Sequence, residues 1–214
     1  MKARPLVLVG YSGHAFVVCD IFQSQKRTVL GYCEGVEKSL NPYGLRYLGR
    51  EEAVGDAWRD YAYFVAIGDN GLRRKVSEKL LALSGGPPER AVHVRASVSP
   101  TATIGAGAMI ADGVVVNACA RIGAGVICNT QSVVEHEVVL GDFCHLGPGA
   151  VLFGNVTVGE GTFIGARSVV VPGVQIGRGV AIGAGTVVLK DIPDTGKYVR
   201  NPQKPKPHKP FNNT

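Results

Sequence analysis

The chain has 214 residues, enough for one large domain or two small ones, and 45% of them are apolar, so a sizeable core is possible. Glycine is abundant (29 residues) and aromatic residues are few (7%), which argues for many tight turns around a narrow interior. The formal charge of +6 suits anionic small ligands; the basic residues form no aromatic-interleaved stripe for nucleic acid, and no apolar run reaches the roughly 18 residues of a membrane helix.

Five cysteines (Cys19, Cys33, Cys119, Cys128 and Cys144) show neither a CxxC pair nor metal-ligand spacing. An odd count of this kind points to reduced thiols in the cytoplasm, mostly as small apolar fillers. Lys2 and Arg4 precede an apolar stretch, but Gly10–His14 and Asp20 interrupt it, so it does not read as a signal peptide.

In chain order, Leu6–Val9 reads as a buried strand, Gly10–His14 as a turn and Ala15–Gln25 as a helix. Thr28–Cys33 and Tyr61–Ile67 read as further strands, and Leu72–Leu83 as a second helix. Strands alternating with helices imply a small parallel α/β domain. Ala91–Val94 reads as a last strand leading to a boundary near Arg95.

From Val98 a strict period takes over. Every sixth residue to Val188 is apolar, and the next position is Gly at 105, 123, 141, 147, 159, 165, 177 and 183. A period of six with β-branched residues and recurrent Gly excludes a helix. It predicts a parallel β-helix: three short strands per coil of eighteen residues, coils stacked at about 4.8 Å, and Gly at the corners for its dihedral freedom. From Lys190 the pattern ends in a Lys/Pro-rich segment that reads as a tail.

Within the repeat, NTQSVVEHEVVLGDFCHLG (129–147) carries Glu135-His136-Glu137 between valine pairs. A histidine titrating near neutrality suits proton transfer, and a neighbouring carboxylate can orient the ring. One lap of eighteen residues places Gly154 beside His136, where a bare amide would suit a developing oxyanion. Cys144 reads as core filler.

The segments VLVGYSGHAFVVCDIF, AIGDNGLRRKV and NTQSVVEHEVVLGDFCHLGPGAVLFGNVTVG, with the [LIV]-G-x-x-x-x repeat, together resemble the bacterial nucleotide-sugar N-acyltransferases across nearly the whole chain. The resemblance implies a Rossmann-like α/β N-terminal domain (1–95) for the nucleotide sugar, a left-handed parallel β-helix (96–190) for the acyl donor, and a tail (191–214). It implies acetylation of the 4-amino group of a UDP- or GDP-linked 4-amino-4,6-dideoxy sugar by acetyl-CoA, without a metal, in a cytoplasmic homotrimer with CoA between subunits. His136 is then the general base and Glu137 its tuning carboxylate, with Glu135 a second candidate. His145, Gly154, Ala166 and Ala184 meet acetyl-CoA. Ser12, Gly13 and His14 meet the phosphates, Glu34 and Gly35 the base, and Gly68 the sugar. Arg73 is either a phosphate ligand or, more simply, part of a solvated helix face. Lys190, Lys197 and Arg200 could meet the 3′-phosphoadenosine end of CoA.

Two other readings share parts of this pattern. A sugar or sialic acid O-acetyltransferase has the same motifs, and a non-catalytic β-helix scaffold would lack the Glu-His-Glu triplet. A zinc site would need three converging histidines, and the repeat holds two, His136 and His145.

Overall fold

The computed structural model describes residues 4–193 and 196–198. Four parallel strands, β1 (Leu6–Val9), β2 (Val29–Cys33), β3 (Arg46–Tyr47) and β4 (Ala62–Val65), form one sheet in the order β3-β2-β1-β4. All four residues of β1 and of β4 are buried, as expected for strands covered on both faces. Alternation then divides them between two cores. Leu6 and Leu8 pack with Ala15, Val18 and Phe22 of α1 (Gly13–Ser24), whereas Val7 and Val9 pack with Trp58 and with Val76 and Leu80 of α3 (Asn70–Ser84). Between β3 and β4 lie α2 (Glu51–Val54) and a 3-10 turn, Gly55–Asp60. Like β3, they are too short to show a period in sequence. Asp69 caps α3, its Oδ1 accepting from Leu72 N at 2.8 Å, and Gly85 in the left-handed region (φ 66°) closes it.

The remainder is a parallel β-helix of triangular section. Its first face stacks Ala91–Val92, Met109–Ile110, Ile127–Cys128, His145–Leu146, Phe163–Ile164 and Val180–Ile182. The second stacks the strands from Ser97–Val98 to Val187–Val188, and the third those from Thr103–Ile104 to Gln175–Ile176. From Ala91 to Val188 partners are eighteen residues apart, as in Arg121↔Val139 and His145↔Phe163. In most of these strands the first residue faces out and the second is buried in the prism core.

Three features depart from the expectations. Ala91–Val92 pairs with Met109–Ile110, so the first rung starts before the expected division at 95. Gly196–Tyr198 pairs with Val180–Ile182, and Ile192 bridges Ile176, so chain beyond 190 adds to the prism. The glycine after each inward aliphatic residue does not serve dihedral freedom. None of those eight has a positive φ. They serve space: a carbon added at Gly105 would lie 2.6 Å from Ala124 N, and one at Gly147 2.6 Å from Ala166 N, on the next coil. The left-handed residues fall two positions later, and several are not glycine, among them Cys119, Glu137, Phe143 and Asn155.

The α/β domain sits on the first face and on the corner between third and first. The side chain of Gln25, just beyond α1, donates to Val92 O, and Asn70 Nδ2 donates to Gly161 O. Arg74 pairs with Glu160 at 3.3 Å and lies 5.1 Å over the Phe143 ring.

Candidate active site

The corner between the second and third faces carries the Glu-His-Glu triplet. His136 is exposed, and its Nδ1 lies 3.2 Å from Glu137 Oε2. A carboxylate oxygen accepts, so the contact calls for a proton on Nδ1, and in the neutral ring Nε2 is then bare. Glu137 makes this contact from the left-handed region (φ 62°). Glu135 turns to the preceding coil and accepts from Asn117 Nδ2 at 2.8 Å. Of the two candidate carboxylates, Glu137 is thus the one against the ring.

Asn155 N donates to His136 O at 2.9 Å, locking adjacent coils in register and setting Gly154 against the imidazole. A carbon added at Gly154 would sit 2.4 Å from His136 Cε1 and 2.6 Å from Nε2, so a side chain there would displace the ring. Among the described residues Gly154 N–H has no hydrogen-bond acceptor. Glu135, His136, Phe153, Gly154, Asn155, Pro172 and Gly173 line an open cleft of about 480 Å³.

The residues expected to bind the nucleotide sugar gather elsewhere. Gly10, Tyr11, Ser12, Glu34, Gly35, Ile67 and Gly68 line a cavity of about 320 Å³ at the carboxyl ends of β1, β2 and β4. Ser12 occupies the N-cap of α1 without a side-chain cap bond, and Gly13 opens the helix. Glu34 accepts from Tyr11 N (3.1 Å) and Gly35 N (2.9 Å), with Lys38 Nζ at 3.7 Å. Burial pushes its carboxyl up, but the Gly35 and Tyr11 amides and the Lys38 ammonium outweigh this and hold it below the ordinary glutamate value.

His14 and His145 meet at the seam between domains, ring centroids 6.5 Å apart. Burial, and after it the charge of Arg73, lowers each to about 4. His145 Nδ1 lies 3.3 Å from Gly68 O, and its ring packs edge-on to Phe163. Arg73, read from sequence as a solvated helix face, is 1% exposed and buried in this seam. Helical spacing could not show that the turn carrying it docks on the prism. Cys144 is buried core filler whose Sγ donates to Gly159 O; burial pushes its thiol up to about 12.

Ala166 and Ala184 lie on the remaining corner, between first and second faces, Ala184 exposed. One chain therefore does not bring the expected site residues together. His136, Glu137 and Gly154 occupy the corner opposite the first face, on which the nucleotide domain sits, across a prism whose sides are up to about 20 Å long. Lys190 is exposed on the His136 column; the Lys197 side chain and Arg200 lie outside the described residues. Among the described residues no group of three His, Cys, Asp or Glu side chains could hold a metal, and no helix is long and apolar enough to cross a membrane.

Fold and site define a two-domain transferase of the hexapeptide type. Residues 5–80 match the PglD N-terminal domain, and residues 155–190 the bacterial transferase hexapeptide (six repeats). A perosamine N-acetyltransferase from Caulobacter crescentus, solved as a histidine-to-asparagine variant with CoA and GDP-perosamine, superposes with a TM-score of 0.86 at 37% identity, over 92% of this chain and 93% of that one. The acetyltransferase domain of PglB from Neisseria gonorrhoeae, solved with acetyl coenzyme A, gives 0.87 at 31% identity, over 94% and 98%. The GDP-perosamine N-acetyltransferase of Escherichia coli O157:H7 is 34% identical over 89 residues, 41% of this chain and 40% of that curated relative's length. The chain belongs to the bacterial nucleotide-sugar N-acyltransferases.

Proposed function

We propose that the chain is an acetyl-CoA-dependent N-acetyltransferase acting on the 4-amino group of a nucleotide-linked 4-amino-4,6-dideoxy sugar, and that it works as a cytoplasmic homotrimer with active sites between subunits. The donor and acceptor class follow the relatives bound to CoA, acetyl-CoA and GDP-perosamine. Five free cysteines suit a reducing compartment.

The observation that carries the shared site is the separation of its halves. The catalytic corner of one copy needs the nucleotide cavity of another. The second face supplies a surface for that contact. Its outward residues Val115, Val133, Val151, Val169 and Val187 form an aliphatic ladder at least partly open to solvent, whereas the third face shows Thr103, Arg121, Val139, Thr157 and Gln175. Such a ladder is an association surface. It is flanked by the His136 corner on one edge and the Ala166 and Ala184 corner on the other, so packing it against a neighbour brings both into the interface.

In this reading residues 1–95 hold the nucleotide sugar. The α1 amides at Ser12, Gly13 and His14 receive the pyrophosphate, Glu34 and Gly35 the base, and Gly68 the sugar. Residues 96–190 hold the donor, its arm along Ala166 and Ala184 with His145 in contact. The sugar amine attacks the thioester carbon, and its proton passes to the bare Nε2 of His136, whose other nitrogen Glu137 holds. The Gly154 amide meets the oxyanion, a contribution of about 3 kcal/mol. Collapse expels the CoA thiolate, which takes the proton from the imidazolium, leaving the N-acetyl sugar and CoA.

The test combines assay and mixing. Acetyl-CoA is offered with UDP-, GDP- and dTDP-linked 4-amino sugars and thiol release followed. His136→Ala and Gly35→Trp, which fills the nucleotide cavity, are each inactive alone. Co-refolded in equal amounts, they regain about a quarter of the wild-type sites if base and cavity come from different subunits. No recovery would place the site within one chain and reject the shared reading.

A further inference from the structure

A buried guanidinium ordinarily meets carboxylates. Among the described residues Arg73 meets none within hydrogen-bonding distance. Its Nε donates to Gly125 O at 2.8 Å, and Nη1 to Ile67 O at 3.1 Å and Gly68 O at 2.9 Å. Its Nη2 donates to Asn70 Oδ1 at 2.8 Å, Phe143 O at 3.0 Å and Cys144 O at 3.3 Å. These oxygens belong to two bodies: the loop after β4 with the first turn of α3, and two stacked turns of the prism. The second of those turns leads directly into His145.

The Gly68 carbonyl is shared. It accepts from Arg73 and lies 3.3 Å from His145 Nδ1. A carbonyl oxygen can only accept, so the contact requires the proton on Nδ1, and a neutral ring then leaves Nε2 bare. The neutral form is favoured because burial and the adjacent cation oppose a second charge. The groups facing the ring are His14 from α1, Arg73 from α3, Gly68 from the loop and Phe163 from the next coil.

We infer that Arg73 is a positioning residue for the transfer reaction: it ties the Ile67–Gly68 loop to the turn before His145, fixing that ring as an Nδ1–H donor to Gly68 whose bare Nε2 accepts an N–H of the acyl donor's arm. The thioester carbonyl, an acceptor, is excluded as its partner. The inference rests on the reading of Gly68 as part of the sugar site, but its first test needs no turnover.

Nitrogen-15 spectra of histidine-labelled full-length protein at neutral pH should show His145 protonated on Nδ1; protonation on Nε2 overturns the proposal. Arg73→Lys keeps the charge and loses the fork. We expect it to give mixed tautomers at His145 and to raise KM for both substrates about tenfold, with kcat changing less. A folded Arg73→Lys protein with the wild-type tautomer and both KM values unchanged would overturn the role. If that variant does not fold, two others decide. The side-chain amide introduced by His145→Asn replaces Nδ1–H, so nucleotide-sugar affinity should hold while KM for acetyl-CoA rises about tenfold. His145→Gln places its amide at Nε2 and should show the reverse. Equal effects of the two on both substrates would reject the division of roles. Loss of all turnover with the tautomer intact would count against the proposed reaction and leave the positioning geometry standing.

Discussion

Two histidines nine residues apart on one prism sit in opposite surroundings. His136 stands on an exposed corner with a carboxylate on Nδ1 and a glycine beneath its ring. His145 stands on a covered face with a carbonyl on Nδ1 and a buried guanidinium nearby. Each Nδ1 faces an oxygen that can only accept, but His136 is exposed beside a carboxylate, whereas burial and the Arg73 guanidinium oppose a second charge at His145. The six-residue rule fixes only the inward positions. What the other positions meet separates an exposed ring beside a carboxylate from a covered ring against a carbonyl.

The largest break in this comparison comes from removing the imidazole proposed as the general base. His136→Ala should lower turnover at least about 100-fold, the low end for a lost general base. Because the side chain is exposed, the thermal midpoint should match wild type. Near-normal turnover would show that the exposed corner is not the site of proton transfer.

Gly154→Ala tests the same corner without touching the base. The added methyl meets the ring at 2.4 Å, so the imidazole must swing away from both Glu137 and the Gly154 amide. A displacement of about 1 Å at a reacting group costs on the order of 100-fold. A crystal structure of the variant would check the cause: the ring should be rotated and Nδ1 out of reach of Glu137. Glu137→Gln is milder. The amide oxygen can still accept from Nδ1 but no longer stabilises an imidazolium, and turnover should fall about tenfold. Glu135→Gln should change turnover far less, because Glu135 bonds Asn117 and not the ring.

Much of this corner is legible in the chain. The lap of eighteen follows from inward residues that never miss their phase, and it alone brings Gly154 to His136. A second signal was there to read. Glycine follows the inward residue along the third–first corner at 105, 123, 141, 159 and 177, but the second–third corner shows Ser99, Asn117, Glu135, Phe153 and Val171. Coils approach too closely for a Cβ on the first column, whereas the second leaves room for side chains, and the Glu-His-Glu triplet sits there. The seam was less legible. Arg73 has ordinary helix spacing, and a sequence does not say which face of a prism a second domain covers. The outward Met109 and Ile127 on the first face, buried in the structure, were the available hint. Outward residues are mostly apolar on two faces, one covered by the α/β domain and one, the valine ladder, at least partly open among the described residues.

The smallest expected effect sharpens the seam. His14 and His145 are held neutral, lowered to about 4 against an ordinary value of 6.5. Above pH 6.5 folded and unfolded chains bind the same number of protons at these rings, and stability is independent of pH through them. Below it the unfolded chain takes up two protons that the folded one refuses. Stability therefore falls as pH drops from 6.5 towards 4, and levels off once the folded rings titrate. Glu34, held below its ordinary value, acts in the same direction at the acid end of this range. The thermal midpoint should drop by several degrees across the window. His145→Asn removes one of the two titrating rings and should reduce the slope by about half. A slope unchanged in His145→Asn would show that the buried pair is not its source.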